Sequence, residues 1–270
     1  MHRYLLLLGL ILALGACASL PGSQTGALAG RPVEYFATHH AAPPVVFESG
    51  LDGHIEWWRD VLPALCGEFS CLAYNRPGIG RSAPATTPRD AATIVDELRA
   101  SLGAAQLAPP YVLVGHSLGG LYLQYFARRH PDEVAALVLV DSTHPRQTDG
   151  DGALDRQPLW VRAALSGLTS AVAKEELAQM DRNRDEVLGL PAPAGLPVIV
   201  LSAAQEAGGD SPAERHAAAL RRDIAALYPG ATQVWVDSGH GIPLEKPQAV
   251  IDAVRAAIAA ARATSQGGAR

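Results

Sequence analysis

Beyond residue 30 the chain switches repeatedly between two hydrophobic rhythms. Short apolar or alternating runs predict strands at 33–38 (VEYFAT), 44–49 (PVVFES), 70–76 (SCLAYNR), 111–115 (YVLVG), 134–142 (VAALVLVDS), 197–203 (PVIVLSA) and 232–239 (TQVWVDSG). Apolar residues at helical spacing predict helices over 54–65, 88–104, 118–130 and 247–263, the third stopped by Pro131. The run VAALVLV is apolar without a break, as in a strand covered on both faces of a parallel sheet. Strands alternating with helices imply crossover connections and hence an α/β fold: a mostly parallel, doubly wound sheet of about eight strands. One stretch breaks the alternation. From 144 to about 195 there are helix-like pieces among Gly and Pro and no strand signal. This predicts a small helical cap inserted after the strand at 134–142, the sixth of such a sheet. The globular domain is expected to span 31–262, and 263–270 to be a flexible tail.

The beginning of the chain is a different material. MHRYLLLLGLILALGAC opens with His2 and Arg3, continues with an apolar run and ends in small residues, the layout of an export signal. The run is too short and one-sided for a spanning helix. Leu14-Gly15-Ala16-Cys17 resembles a bacterial lipobox, in which cleavage precedes the cysteine and its sulfur takes a diacylglyceryl group. That resemblance implies a leader at 1–16, a lipid on Cys17 that anchors the chain to a membrane, and a polar, Gly-rich tether from 17 to 30. A plain secretory leader cut near Ala18, or a buried N-terminal helix, is the alternative. Ala18, rather than Asp, after the cysteine implies sorting to the outer membrane of the bacterial envelope, facing the periplasm. In an oxidising compartment Cys66 and Cys71 can pair as a disulfide; equally, Cys71 can be a small buried hydrophobe and Cys66 a free thiol.

The remaining composition is that of an ordinary soluble domain: 48% hydrophobic, 18% charged, net charge −5. No basic stripe offers a footprint for phosphates, so nucleic acid is not an expected partner. The three cysteines and nine histidines do not cluster at metal-ligand spacing, and no metal or other cofactor is expected.

Chemistry concentrates at 111–131, YVLVGHSLGGLYLQYFARRHP, where Ser117 stands between Gly115 and Gly119 at a strand-to-helix junction. This is a nucleophile elbow: a sharp turn whose apex hydroxyl is lifted to the sheet's carboxyl edge. A serine hydroxyl is protonated at neutral pH and needs a base. His240, in VWVDSGHGIPLEKP, follows the last predicted strand, so chain order delivers it to the same edge. His116 adjoins Ser117, but an elbow points it away from the hydroxyl, and it reads as a packing and hydrogen-bonding residue. His54 and His144 fall in loops facing the mouth of the site. A third residue must orient the imidazole. Asp141 is favoured because its strand fixes its position; Glu206, a short turn beyond the next strand, is the alternative acid. Asp210 and Asp237 are weaker candidates. Acyl transfer also needs donors for an oxyanion. The backbone N–H of Leu118 and that of Leu51, after Gly50 in FESGLDG, are the candidates.

The segments VVFESGLDGHIEWWRDVLPAL, YNRPGIGRS, GHSLGGLYLQYFARRHPDEVAALVLVDS and SGHGIPLEKPQAVIDAV, in this order, resemble α/β-hydrolase-fold proteins of the AB-hydrolase-1 type over about 33–261. The resemblance implies Ser117 as nucleophile, His240 as base and N–H donors at Leu118 and Leu51. Two departures matter. The His-Gly common after the third strand is Ser49-Gly50 here, and the usual aspartate after the penultimate strand is absent, with Glu206 near its slot. Some relatives carry the acid one strand earlier, where Asp141 stands. Asn75 also replaces a frequent Asp. A serine nucleophile implies an acyl-enzyme formed from a carbonyl substrate. The expected activity is therefore that of a carboxylesterase for small to medium esters. A thioesterase, a carbon–carbon bond hydrolase, an amidase or a cofactor-free haloperoxidase would use the same residues. A non-catalytic envelope binding protein is the alternative outside enzymes.

Overall fold

In the computed structural model residues 20–267 are described; the leader at 1–16 and Cys17 lie outside them. Eight strands form one sheet in the order β1-β2-β4-β3-β5-β6-β7-β8. They are β1 (Gln24–Leu28), β2 (Arg31–Thr38), β3 (Ala41–Glu48), β4 (Phe69–Tyr74), β5 (Tyr111–His116), β6 (Val134–Val140), β7 (Val198–Ala203) and β8 (Thr232–Val236). β1 and β2 pair antiparallel, and every pairing from β4 to β8 is parallel. The expected architecture is thus the one observed.

Alternating strand residues feed two apolar layers. Leu113, Leu137, Leu139 and Val200 pack under the helices Ala91–Ala104 and Leu118–Arg129. Val45, Phe47, Val112, Val114 and Val138 pack on the opposite side, under the helices Leu62–Cys66 and Pro247–Gly267. Leu20, at the start of the described chain, is buried in this second layer. Each such aliphatic side chain contributes roughly 1.5–3 kcal/mol on burial.

Four details correct the sequence reading. Residues 24–28 are not tether but the edge strand β1, joined to β2 by a two-residue turn with Ala29 at φ 50° and Gly30 at φ 80°. Such a turn usually carries Asn-Gly, and Ala-Gly gave no signal. The helix expected over 54–65 is split into a 3-10 turn, Ile55–Trp58, and a short helix, Leu62–Cys66. Pro63 has no N–H and its ring collides with the carbonyl four residues back, which forbids one continuous helix. A helix absent from the sequence reading, Pro212–Asp223, is closed by a capping box between Ser211 and Glu214. The last helix runs to Gly267, so much of the supposed tail is helical.

Between β6 and β7 lie the 3-10 turns Gly150–Gly152 and Leu154–Arg156 and the helices Leu159–Leu168, Ala171–Ala178 and Met180–Leu188. This is a helical insertion of the expected kind and place. Cys66 and Cys71 form a disulfide with a Cα–Cα distance of 5.5 Å, which decides between the two readings left open.

Candidate active site

β5 ends at His116 and a helix begins at Leu118, leaving Ser117 alone at the apex with φ 51° and ψ −125°. That conformation costs a residue with a side chain roughly 1–3 kcal/mol and persists because its surroundings hold it. The Ser117 N–H donates to the Val140 carbonyl (3.1 Å), and the Ser117 carbonyl accepts from the N–H groups of Gly120 (3.0 Å) and Thr143 (2.9 Å). Two flanking glycines are steric requirements. A Cβ on Gly115 would lie 2.6 Å from the Gly120 Cα, and one on Gly119 would strike the carbonyl oxygens of Glu48 and Ser49.

The Ser117 hydroxyl donates to His240 Nε2 at 3.0 Å, and His240 Nδ1–H donates to Asp141 Oδ2 at 2.6 Å. Asp141, not Glu206, is therefore the carboxylate that reaches the imidazole. It follows β6 with φ 37°, and its N–H donates to the Leu201 carbonyl at 2.7 Å. Its Oδ1 also accepts from the Ala203 N–H (3.1 Å), and Arg221 grips both oxygens, at 2.9 and 3.1 Å. Burial alone would raise the Asp141 pKa. The His240 hydrogen bond and the Arg221 charge outweigh it and hold the carboxyl well below the usual range. Glu206 ends a 3-10 turn and meets Arg221 through its backbone carbonyl, at 3.3 Å. Asp210 is exposed, and Asp237 accepts from Gln205.

His240 hangs from a braced loop. Glu245 Oε2 accepts from the Ser238 hydroxyl and the Gly239 N–H, both at 2.9 Å. His116 Nε2 lies 2.9 Å from the His240 carbonyl, so that nitrogen carries the hydrogen. Burial, with the His240 charge adding to it, pushes the His116 pKa down to about 3, and the ring stays neutral. It also stacks on Trp57 at 4.9 Å. His116 thus points away from the hydroxyl, as expected. The His240 side chain is 29% exposed and open to an incoming molecule. His54 is similarly open at 48%, but His144 is buried and faces Asp223 at 3.2 Å, so it does not line the mouth.

Leu118 occupies the first helical position after the elbow, where an N–H has no partner within its own helix. Leu51 follows Gly50, where an added Cβ would sit 2.9 Å from the Ser117 Cβ. The missing His-Gly histidine has a substitute. Ser49 Oγ accepts from Trp58 Nε1 (3.0 Å) and donates to the His54 carbonyl (3.2 Å). Asn75, in place of Asp, accepts from the Ile55 N–H and donates to Glu34, each at 2.8 Å. Sequence reasoning missed Arg221. Its helix was announced by Ser211-Pro212-Ala213-Glu214, but no local pattern marks the carboxylate it meets. Chemically, the arrangement can move a proton from a hydroxyl to an imidazole whose resulting charge a buried carboxylate balances.

A family model described as the alpha/beta hydrolase fold matches residues 43–186. A (lyso)-N-acylphosphatidylethanolamine lipase of Mus musculus is 30% identical over 129 residues, covering 46% of this chain and 38% of that protein. A putative carbamate hydrolase of Yersinia enterocolitica, RutD, is 35% identical over 159 residues, covering 52% and 57%. The matched segment is 24% to 57% of the length of these and other curated relatives. The crystal structure of a putative lipase from Acinetobacter baumannii superposes with a TM-score of 0.68 at 18% identity, over 93% of this chain and 99% of that one.

Proposed function

The chain belongs to the alpha/beta hydrolase fold family, and from that premise we propose that it is a serine hydrolase, specifically a carboxylesterase acting through an acyl-enzyme on Ser117. The observation that carries this reading is the continuous hydrogen-bonded line from the Ser117 hydroxyl through His240 to Asp141. In the first half-reaction Ser117 Oγ attacks the ester carbonyl while its proton passes to His240 Nε2. Asp141, ionised and buried, balances the imidazolium. The carbonyl oxygen becomes an oxyanion facing the N–H groups of Leu118 and Leu51. As the tetrahedral intermediate collapses, His240 returns the proton to the departing alkoxide. Water then enters by the same route in reverse and releases the acid and Ser117.

The relatives named as a lipase and a carbamate hydrolase support hydrolysis as the reaction class. The modest helical insertion favours small to medium acyl and alkyl groups. The Cys66–Cys71 disulfide supports an oxidising compartment, and with it the lipid anchor on Cys17 at the bacterial envelope.

The test is hydrolysis of p-nitrophenyl esters of increasing acyl length beside Ser117→Ala. Loss of roughly 10⁶-fold in kcat with the fold intact is expected. Equal rates in both proteins, or failure of a fluorophosphonate to label Ser117, would remove the nucleophile from the proposal.

A further inference from the structure

Arg76 lies outside the line from Ser117 to Asp141, yet it is fully buried and each of its five N–H donors is used. Nη1 donates to Glu48 Oε1 and to the Ser49 carbonyl, both at 2.6 Å. Nη2 donates to the Gly50 carbonyl at 2.7 Å and to Glu176 Oε2 at 2.9 Å, and Nε donates to Glu176 Oε1 at 2.8 Å. The ring of Tyr122 lies 5.4 Å from the guanidinium carbon. Glu176 belongs to the insertion, on the helix Ala171–Ala178, one hundred residues from Arg76. The same helix is tied to the same turn a second time: Asp52 accepts from the N–H (2.8 Å) and hydroxyl (2.6 Å) of Ser170, its N-cap.

The consequence follows from peptide geometry. The Gly50 carbonyl and the Leu51 N–H are opposite ends of one planar trans unit and point in opposite directions. Fixing the oxygen with Arg76, assisted by the Gly53 N–H at 3.1 Å, fixes where the Leu51 N–H points. A cation on the oxygen also draws electron density from the amide nitrogen and strengthens that N–H as a donor. We propose that Arg76 is a positioning residue for the oxyanion site and that Glu176, from the cap, sets the orientation of Arg76. The insertion then helps to build the site rather than merely bordering it. This rests on the serine-hydrolase reading and on Leu51 as an oxyanion donor.

Two carboxylates share one guanidinium here, so Glu176→Gln removes a charge without leaving one unpaired: Arg76 keeps Glu48. The experiment compares wild type, Glu176→Gln and Arg76→Lys as full-length chains in detergent. It measures p-nitrophenyl butyrate kinetics and inhibition by a trifluoromethyl ketone, which forms a tetrahedral adduct with serine. In Glu176→Gln, kcat should fall roughly 10- to 100-fold, with KM within about threefold of wild type. Ketone affinity should fall by the same factor as kcat/KM. Lysine at 76, unable to serve the fork of acceptors, should lose at least as much. Unchanged kcat and ketone affinity in folded Glu176→Gln would overturn the proposal. A readout without turnover separates the two readings: in ¹⁵N-leucine-labelled protein the Leu51 amide resonance should move upfield in Glu176→Gln, while core leucines such as Leu137 report an intact fold. An unmoved Leu51 resonance overturns the role of Arg76. Absence of ester hydrolysis in wild type, with the resonance shifted, overturns only the serine-hydrolase reading.

Discussion

Ser117 takes its turn from neighbours a few positions away, Gly115, Leu118, Gly119 and Gly120, with Val140 and Thr143 bonding its backbone, whereas the Asp141 carboxylate is held by Ala203, Arg221 and His240, which lie 62, 80 and 99 residues further along the chain. On the nucleophile side a strained backbone, braced by close glycine contacts, does the positioning. On the acid side several separate elements must dock before the carboxylate acquires its partners and its low pKa. The first arrangement is steric and its motif is local in sequence, although the ends of β3 and β6 close around it. The second is electrostatic and depends on tertiary structure, so substitutions there grade the activity rather than destroying the geometry.

The sharpest way to break this contrast is at the acid itself. Asp141→Asn keeps the shape but leaves the His240 imidazole in the wrong tautomer, and should lower kcat roughly 10⁴-fold. Glu206→Gln should stay within about twofold of wild type in the same assay. The reverse result would reassign the acid. A smaller effect tests the electrostatic half. Arg221→Gln removes the cation that helps keep Asp141 ionised, and should cost roughly tenfold in kcat/KM, with activity failing at a higher pH on the acid side. Profiles that overlay would show the carboxylate to be independent of Arg221.

The mildest change concerns His116. Its folded pKa, about 3, lies below that of the unfolded chain. The unfolded state therefore binds more protons between the two values, and stability rises with pH across that window. Melting temperature should fall as pH drops from roughly 6.5 towards 3. His116→Gln, which cannot titrate, should show a flatter decline. A wild-type curve no steeper than that of the variant would mean the imidazole is not kept neutral by burial. Asp141 adds to the same trend further down: a depressed carboxylate contributes stability above about pH 4 that is lost as the pH falls through its folded value.

The contrast between local and tertiary encoding also explains what could be read from the chain. Most of the strands, the place of the insertion and the elbow are written in short-range pattern: VAALVLV between turn signals reads as a doubly covered strand, and Gly115-His116-Ser117-Leu118-Gly119 needs only its flanks. The choice between Asp141 and Glu206 was open because both follow parallel strands, and which carboxylate meets His240 is decided by how β7 and the Pro212–Asp223 helix pack beside β6. Arg221 and Arg76 were illegible for the same reason, their acceptors being distant in sequence. β1 was missed for a different one: its turn uses Ala29 where the conformation favours Asn or Gly.

Leu20 has a mechanical meaning. It is buried in the sheet's second layer and stands three positions after Cys17 in the sequence. If the proposed lipid is carried on that cysteine, the chain between bilayer and Leu20 can span at most roughly 10 Å. A body held so close by that proposed anchor would not tumble freely above the membrane. It would patrol a plane, meeting amphiphilic molecules by lateral diffusion and soluble ones only from the side turned away from the lipid.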